Sequence, residues 1–85
     1  MQLSHELKGK TLVVTGINFK NQHVMHKISN IGITKDTIIK VLNYDKNNII
    51  LHLLVYGVEY VLREKDCRYI SVREYKDSKQ FQIKR

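Results

Sequence analysis

The sequence predicts a mainly β fold with one helix: a small, strongly bent antiparallel barrel of five strands, with the helix between strands 1 and 2. Short segments in which every second residue is apolar recur along the chain, and one segment with apolar residues three and four apart interrupts them. The 85 residues are enough for one domain with a single core.

The predicted helix ends at Gly32. Val24, Ile28 and Ile31 are four and then three residues apart, which places them on one face of a helix. Asn21 is the expected N-cap, because this apolar face begins three residues after it. Gly32 is expected at positive φ, a conformation that a side chain with a Cβ resists. A short turn and a strand should follow.

A lead-in and the first strand precede the helix. Residues 3–10 are expected to form a turn that Ser4 caps and Gly9 ends. Residues 11–17 are rich in β-forming side chains and predict the first strand. Gly16 within that strand indicates a bulge or a bend.

The second and third strands are predicted at residues 37–44 and 49–56. The loop between them, residues 45–48, contains two asparagines, which tolerate left-handed conformations, so a four-residue hairpin loop is expected. Gly57 permits a second tight reversal into the fourth strand, residues 58–63. In that strand we expect Val58, Tyr60 and Leu62 to face inward, and Glu59, Val61 and Arg63 to face outward.

The chain after the fourth strand is predicted to contain one charged turn and the last strand. The turn is expected at residues 64–67 and the strand at residues 69–73. Residues 75–85 show no clear periodicity and are predicted to be a mobile basic tail. The barrel domain is therefore assigned to residues 1–74.

Aliphatic side chains are distributed over both sides of the second and third strands. The set expected to fill the barrel is Ile39, Val41, Leu51, Leu53 and Val55. The set on the opposite side is Ile38, Leu42, Ile50, Leu54 and Tyr56. A domain of this size cannot bury both sets, so we expect the helix and the lead-in to cover part of the second set and the rest to be exposed. Exposed apolar surface rimmed by charge is typical of a docking site.

The net charge of +7 and the pI near 9.7 suit nucleic acid, an anionic membrane face or an acidic protein surface as a partner. The lysines are spread along the chain rather than clustered. Nucleic-acid-binding barrels usually combine basic charge with exposed aromatic side chains on their strands, whereas Tyr60 is expected to face inward. The sequence therefore favours a solvated basic surface over a nucleic-acid partner.

The sequence contains no motif of catalytic chemistry, so we expect neither an enzyme nor a cofactor. His23 and His26 are three apart on the predicted helix and could reach one metal ion, but no further ligands lie near them, so no metal site is predicted. Neighbouring cations could activate Cys67, although a structural role in the turn is favoured.

The expected compartment is the cytoplasm. A single cysteine excludes an internal disulfide and fits a reducing environment. The first six residues contain no apolar signal core, and the longest apolar run, residues 49–56, is far shorter than the roughly 20 residues that a membrane helix needs. We expect no direct insertion into a membrane.

The order of these short segments resembles FeoA, the ferrous iron transport protein A family. The likeness covers about residues 3–72. Residues 7–9, Leu-Lys-Gly, are similar to the opening turn of that family, and Ile-Gly-Ile at residues 31–33 is similar to its Leu-Gly-Leu signature. Residues 57–63 resemble its glycine-led hairpin ending in Leu-Arg. The chain departs from the family pattern at residues 35–36, where Lys-Asp replaces the common Pro-Gly.

The resemblance implies an SH3-like barrel that is a non-enzymatic cytosolic accessory to the ferrous iron permease, ferrous iron transport protein B. That partner has a cytosolic GTP-hydrolysing domain and a membrane pore. We expect the docking face to combine Leu42, Leu54 and Tyr56 with nearby cations such as Arg63. A similar barrel ends the iron-dependent repressors of the diphtheria toxin repressor type. The alternatives are a nucleic-acid-binding module and a metal-sensing module that uses His23 and His26.

Overall fold

The fold class predicted from the sequence is confirmed: five antiparallel strands form one sheet, with a helix between the first two. The computed structural model describes residues 1–76, so the predicted tail lies outside the described residues from position 77 onward. A 3₁₀ turn at His5–Leu7 precedes the sheet. The strands and helices are β1 (Thr11–Ile17), α1 (Gln22–Ile31), β2 (Ile38–Asp45), β3 (Ile50–Val55), β4 (Val58–Arg63), α2 (Glu64–Cys67) and β5 (Ile70–Glu74).

The strand order in the sheet is β4-β3-β2-β1-β5, which places β4 and β5 at its two edges. The first residues of the chain run along the outer edge of β5. Gln2 forms a β-bridge with Ser71, and the Val72 N–H donates to the Met1 carbonyl at 2.7 Å. The edge of β5 is therefore covered, because its main-chain groups already have partners.

Both ends of α1 agree with the prediction. The Asn21 side chain accepts a hydrogen bond from the Val24 N–H at 3.2 Å, which satisfies one of the free donors of the first turn. Gly32 ends the helix in the left-handed conformation, with φ of 92°. Its N–H donates to the Ile28 and Ser29 carbonyls, so the last turn is closed as a glycine C-cap.

Two irregularities in strand pairing shape the sheet. The register between β1 and β5 shifts between Val14 and Gly16, which confirms the predicted bulge. The register between β2 and β3 shifts between Val41 and Asn43. Leu42 is the extra residue of this second bulge, which the sequence did not predict.

The inward set of β2 and β3 fills the core as predicted, and all five side chains are fully buried. The buried residues of the lead-in and of α1, Leu3, Leu7, Val24 and Ile28, belong to the same core cluster. No residue of the opposite set is buried. The expectation that the helix and the lead-in cover part of that set is wrong, because both pack on the inward set instead.

Two smaller expectations also differ from the structure. Val58 lies opposite Val55, yet its side chain is 49% exposed because it stands at the end of the edge strand β4. In the loop between β2 and β3, the left-handed residue is Ile49, with φ of 57°, rather than an asparagine. The Asp45 side chain accepts hydrogen bonds from the Asn47 and Asn48 N–H groups, which holds both asparagines in the preceding part of the turn.

Candidate functional site

The outward side of β2, β3 and β4 carries exposed apolar side chains. We call it the outer sheet surface and define it by Ile38, Leu42, Leu54, Tyr56 and Val61. Tyr56 is 73% exposed, Val61 51% and Ile38 44%, whereas Leu42 and Leu54 are half-buried. The strand period of two causes this arrangement, since burial of the alternate residues on the core side directs these side chains outward.

A groove of about 420 Å³ lies at one end of the outer sheet surface. Its lining residues are Thr11, Asp36, Ile38, Lys40, Leu54, Tyr56 and Gly57. Lys40 and Leu54 are opposite each other in the β2–β3 register, so the floor of the groove joins an aliphatic side chain to a cationic one. Asp36 supplies a carboxylate to the same groove.

Tyr56 is held at the edge of this groove by an unusual turn. Tyr56 and Gly57 both have positive φ, 51° and 78°, which is the backbone of the tight hairpin turns that match strand twist. A tyrosine in that conformation is strained. Its hydroxyl lies 3.4 Å from the Thr37 Oγ1, at the outer limit of a hydrogen bond. The turn sets the backbone of Tyr56, and the contact with Thr37 holds its ring beside the groove.

The structure brings together only part of the predicted docking face. Leu54 and Tyr56 line the groove, whereas Leu42 lies in the β2 bulge outside its lining. Arg63 stands at the far end of β4, where it lines a different cleft. The local alternation of side chains showed that these residues face outward, but it could not show how far apart they lie.

Sequence reasoning missed a polar contact on the outer sheet surface. The His52 ring Nδ1 lies 2.9 Å from the Glu59 Oε2, and Val61 lies opposite His52 in the β3–β4 register. The contact joins neighbouring strands diagonally, so only the register reveals it. It places a polar histidine–glutamate contact beside the apolar side chains.

The second cleft has a volume of about 540 Å³ and is lined mainly by polar and cationic side chains. We call it the basic cleft. Its lining residues are Gln2, Asn18, Asn21, His23, Val24, Lys27, Arg63, Lys65, Asp66, Arg68 and Tyr69. It shares no residue with the groove at Tyr56.

His23 and His26 are both exposed on α1, and His23 lines the basic cleft. Within residues 1–76, no group of three His, Cys, Asp or Glu side chains is placed to hold a metal ion. Cys67 is fully buried, and its burial, together with the charges of Asp66 and Glu64, raises the pKa of its thiol to about 12. This environment favours a structural cysteine over a reactive one.

Solved structures similar to this chain include two FeoA proteins. The FeoA protein of Chlorobium tepidum is 19% identical with a TM-score of 0.77, over 94% of this chain and 75% of that one. FeoA of Stenotrophomonas maltophilia, solved with zinc and described as an SH3 domain protein, is 17% identical with a TM-score of 0.72, over 86% of this chain and 89% of that one. At these identities the likeness shows the fold alone, and it confirms the SH3-like class.

A manganese-dependent transcriptional repressor in complex with manganese has the same fold in part. It is 21% identical with a TM-score of 0.81, over 88% of this chain and 36% of the repressor. This chain thus spans little more than a third of the length of the manganese-dependent repressors that it matches. The matched share is 36% of the repressor with manganese and 37% of a second repressor structure. None of the curated proteins compared with the chain matches it in sequence.

Neither α1 nor any other helix among residues 1–76 has the length and apolar character needed to span a bilayer. The model of one protein family, the FeoA domain, matches residues 1–74, which contain all five strands and both helices. The match covers most of the 85 residues. This chain therefore belongs to the FeoA domain family.

Proposed function

We propose that this protein is a non-enzymatic cytoplasmic accessory of ferrous iron uptake, and that it docks on the cytosolic part of the ferrous iron permease. Membership of the FeoA domain family supports the process. So does the description of the Stenotrophomonas FeoA, for which a role as a ferrous iron transport activating factor has been suggested. The outer sheet surface supports docking as the mode of action.

The main support for docking is the exposure of Tyr56. This residue is 73% exposed beside a groove that Ile38 and Leu54 also line. Tyrosine is enriched among the residues that dominate binding energy at protein interfaces. The contact between the Tyr56 hydroxyl and the Thr37 Oγ1 restrains the ring before a partner arrives, which lowers the side-chain freedom lost on binding. Ile38 and Leu54 offer further apolar contact in the same groove.

Charges around the groove orient the docking partner. Lys40 and Asp36 both line it, so a docking partner meets one charge of each sign next to the apolar floor. Rim charges of this kind mainly affect the rate of encounter and the choice of partner. The apolar contacts around Tyr56 supply most of the affinity.

The direct test is a titration of the ¹⁵N-labelled chain with the purified cytosolic domain of the permease. We expect saturable amide shifts at residues 36–40 and 54–57. Tyr56→Ala should weaken binding about tenfold or more, as is usual for an interface hot spot. Val58→Ala is the matched control, since Val58 is also apolar and 49% exposed but lies on the opposite side of the sheet. Equal weakening by both variants, or no shifts at the groove, would contradict docking through this surface.

The two alternatives are tested with the same protein. A nucleic-acid-binding module would bind with an affinity that falls steeply with salt. Tyr44 and Tyr60 are partly buried against the core. Among residues 1–76, the exposed tyrosine is Tyr56, in the turn between β3 and β4, and one ring does not provide a multi-ring stacking platform. A metal-sensing module would lose Fe(II) binding when His23 and His26 are replaced by alanine.

A further inference from the structure

The basic cleft lies between the first half of α1 and the segment that joins β4 to β5. Asn21, His23 and Lys27 line it from the α1 side, while Arg63 and Arg68 line it from the other side. Its volume of about 540 Å³ is within the range of small-molecule sites, roughly 300–1,000 Å³. Its walls differ from those of a typical apolar pocket because so many of their side chains carry charge.

The cleft has an excess of positive charge. Among residues 1–76, Asp66 supplies the only carboxylate of its lining, and this side chain is 6% exposed. The Asp66 Oδ2 accepts from the Lys27 Nζ at 3.1 Å, so these two charges neutralise each other. Within residues 1–76, no carboxylate oxygen lies within 4.0 Å of the charged groups of the other three cations, Arg63, Lys65 and Arg68.

The two walls of the cleft are held together before any ligand binds. The Asn18 N–H donates to the Tyr69 carbonyl at 2.8 Å, which joins the segment before α1 to the segment before β5. The Lys27–Asp66 pair joins α1 to α2. Three cations therefore line one cleft, and the distance between its two walls is set by these contacts. The walls need little ordering when a ligand binds.

The chemistry of the walls matches phosphate. The planar guanidinium groups of Arg63 and Arg68 suit the geometry of phosphate oxygens, and Lys65 adds a point charge. The cleft also reaches Asn21 and His23 at the start of α1, where first-turn N–H groups and the helix dipole favour anions. We propose that the basic cleft binds a diphosphate group, either free as pyrophosphate or as part of a nucleotide.

This site is separate from the surface proposed for docking. No residue lines both the basic cleft and the groove at Tyr56. Loss of one binding activity would therefore leave the other testable in the same protein. A variant at Tyr56 should bind diphosphate normally, and a variant of the cleft cations should keep the groove intact.

The test is a titration of the ¹⁵N-labelled full chain with sodium pyrophosphate and, separately, with ADP at fixed ionic strength. We expect saturable binding of one ligand per chain, with amide shifts confined to residues 18–27 and 63–69. The double variant Arg63→Gln/Arg68→Gln should bind at least about tenfold more weakly, because charge-assisted hydrogen bonds are lost. The control Lys8→Gln/Lys46→Gln removes the same charge at two exposed lysines that line neither cavity, and it should stay within about twofold of the parent.

Each outcome decides the proposal. Equal affinity for pyrophosphate and ADP identifies phosphate as the recognised group, and tighter binding of ADP identifies a nucleotide. Equal weakening by the control pair, or shifts at lysines over the whole surface, would mean that net charge alone attracts the anion and would overturn the site. Absence of saturation up to about 10 mM would overturn it as well. Lys65→Gln alone repeats the test with a single exposed side chain if the double variant does not fold.

Discussion

The imidazole of His5 lies stacked on the ring of Tyr44, with ring centroids 4.7 Å apart and an angle of 25° between the planes. Glu64 joins the pair from the start of α2. Its Oε2 accepts from the His5 main-chain N–H at 3.0 Å and also contacts the His5 ring nitrogen. The lead-in, the end of β2 and α2 are therefore connected in one cluster.

This cluster predicts that the protein loses stability in acid. Burial of the Glu64 carboxyl acts to raise its pKa, but the hydrogen bonds and charge of His5 outweigh burial and hold the pKa below the usual value of 4.5. A group with a lowered pKa in the folded state stabilises the fold above its unfolded pKa and loses that contribution as the pH falls through the folded pKa. The free energy of unfolding should thus decrease as the pH falls below 4.5. Urea unfolding at several pH values measures it.

Glu64→Gln should reduce this acid dependence, because the glutamine has no charge to lose. Part of the dependence remains, since hydrogen bonds from Asn48 also lower the pKa of Asp45. Glu6→Gln is the control: Glu6 is exposed and has no salt bridge within residues 1–76. If the Glu64 and Glu6 variants show the same pH dependence as the parent, the cluster does not control acid stability.

Gly32→Val should destabilise the protein by about 1–2 kcal/mol, because a β-branched residue is forced to positive φ. No atom lies within 4 Å of a Cβ added at Gly32, so the cost is conformational rather than steric contact with a neighbour. Gly16→Val provides the comparison, since Gly16 has equally open space but no positive φ. Thermal unfolding of both variants measures the difference. Equal melting temperatures would show that the helix does not need glycine at its end.

Ile49→Asn should stabilise the protein by about 1 kcal/mol, since isoleucine resists the left-handed backbone that asparagine tolerates. The Ile49 side chain is 55% exposed, so little packing is lost. The hydrogen bond from the Glu64 N–H to the Ile49 carbonyl, 3.0 Å, involves only main-chain atoms and is kept. Val61→Asn, at an exposed strand position without positive φ, should give no gain. A lower midpoint in urea for the Ile49 variant would contradict the prediction.

Cys67 should not react with a thiol reagent such as dithiobisnitrobenzoate in the native protein at about pH 8, because its buried thiol has a pKa raised to about 12. The same cysteine should react at once in about 6 M guanidinium, where the chain is unfolded. Absorbance of the released thiolate measures both rates. Fast reaction in buffer alone would mean that α2 opens far more readily than its burial implies.

Local features of the sequence predicted most of the fold. The cap at Asn21, the stop at Gly32 and the reversal at Gly57 each depend on a few adjacent residues, and the structure confirms all three. The left-handed residue in the loop after β2 was not predictable from composition. Isoleucine is poorly suited to the left-handed conformation at position 49, where its carbonyl accepts from the Glu64 N–H.

The candidate sites depend on contacts between distant parts of the chain, which sequence patterns do not encode. Lys27 and Asp66 are 39 residues apart in sequence and meet only through the packing of α1 against the segment before β5. Alternation of side chains places Arg63 and Tyr56 on the same side of the sheet, yet they line different cavities. Alternation gives the side of a sheet, whereas the position along it requires the strand register.

The contact of the first residues with β5 has a consequence for handling the protein. Removal of Met1 and Gln2 would leave β5 paired with β1 on one side but would free the Val72 N–H on its outer edge, where another copy could pair. A shortened chain would therefore be prone to aggregate although its core, its groove and its basic cleft were unchanged. Affinity tags or truncations at this terminus would alter solubility first.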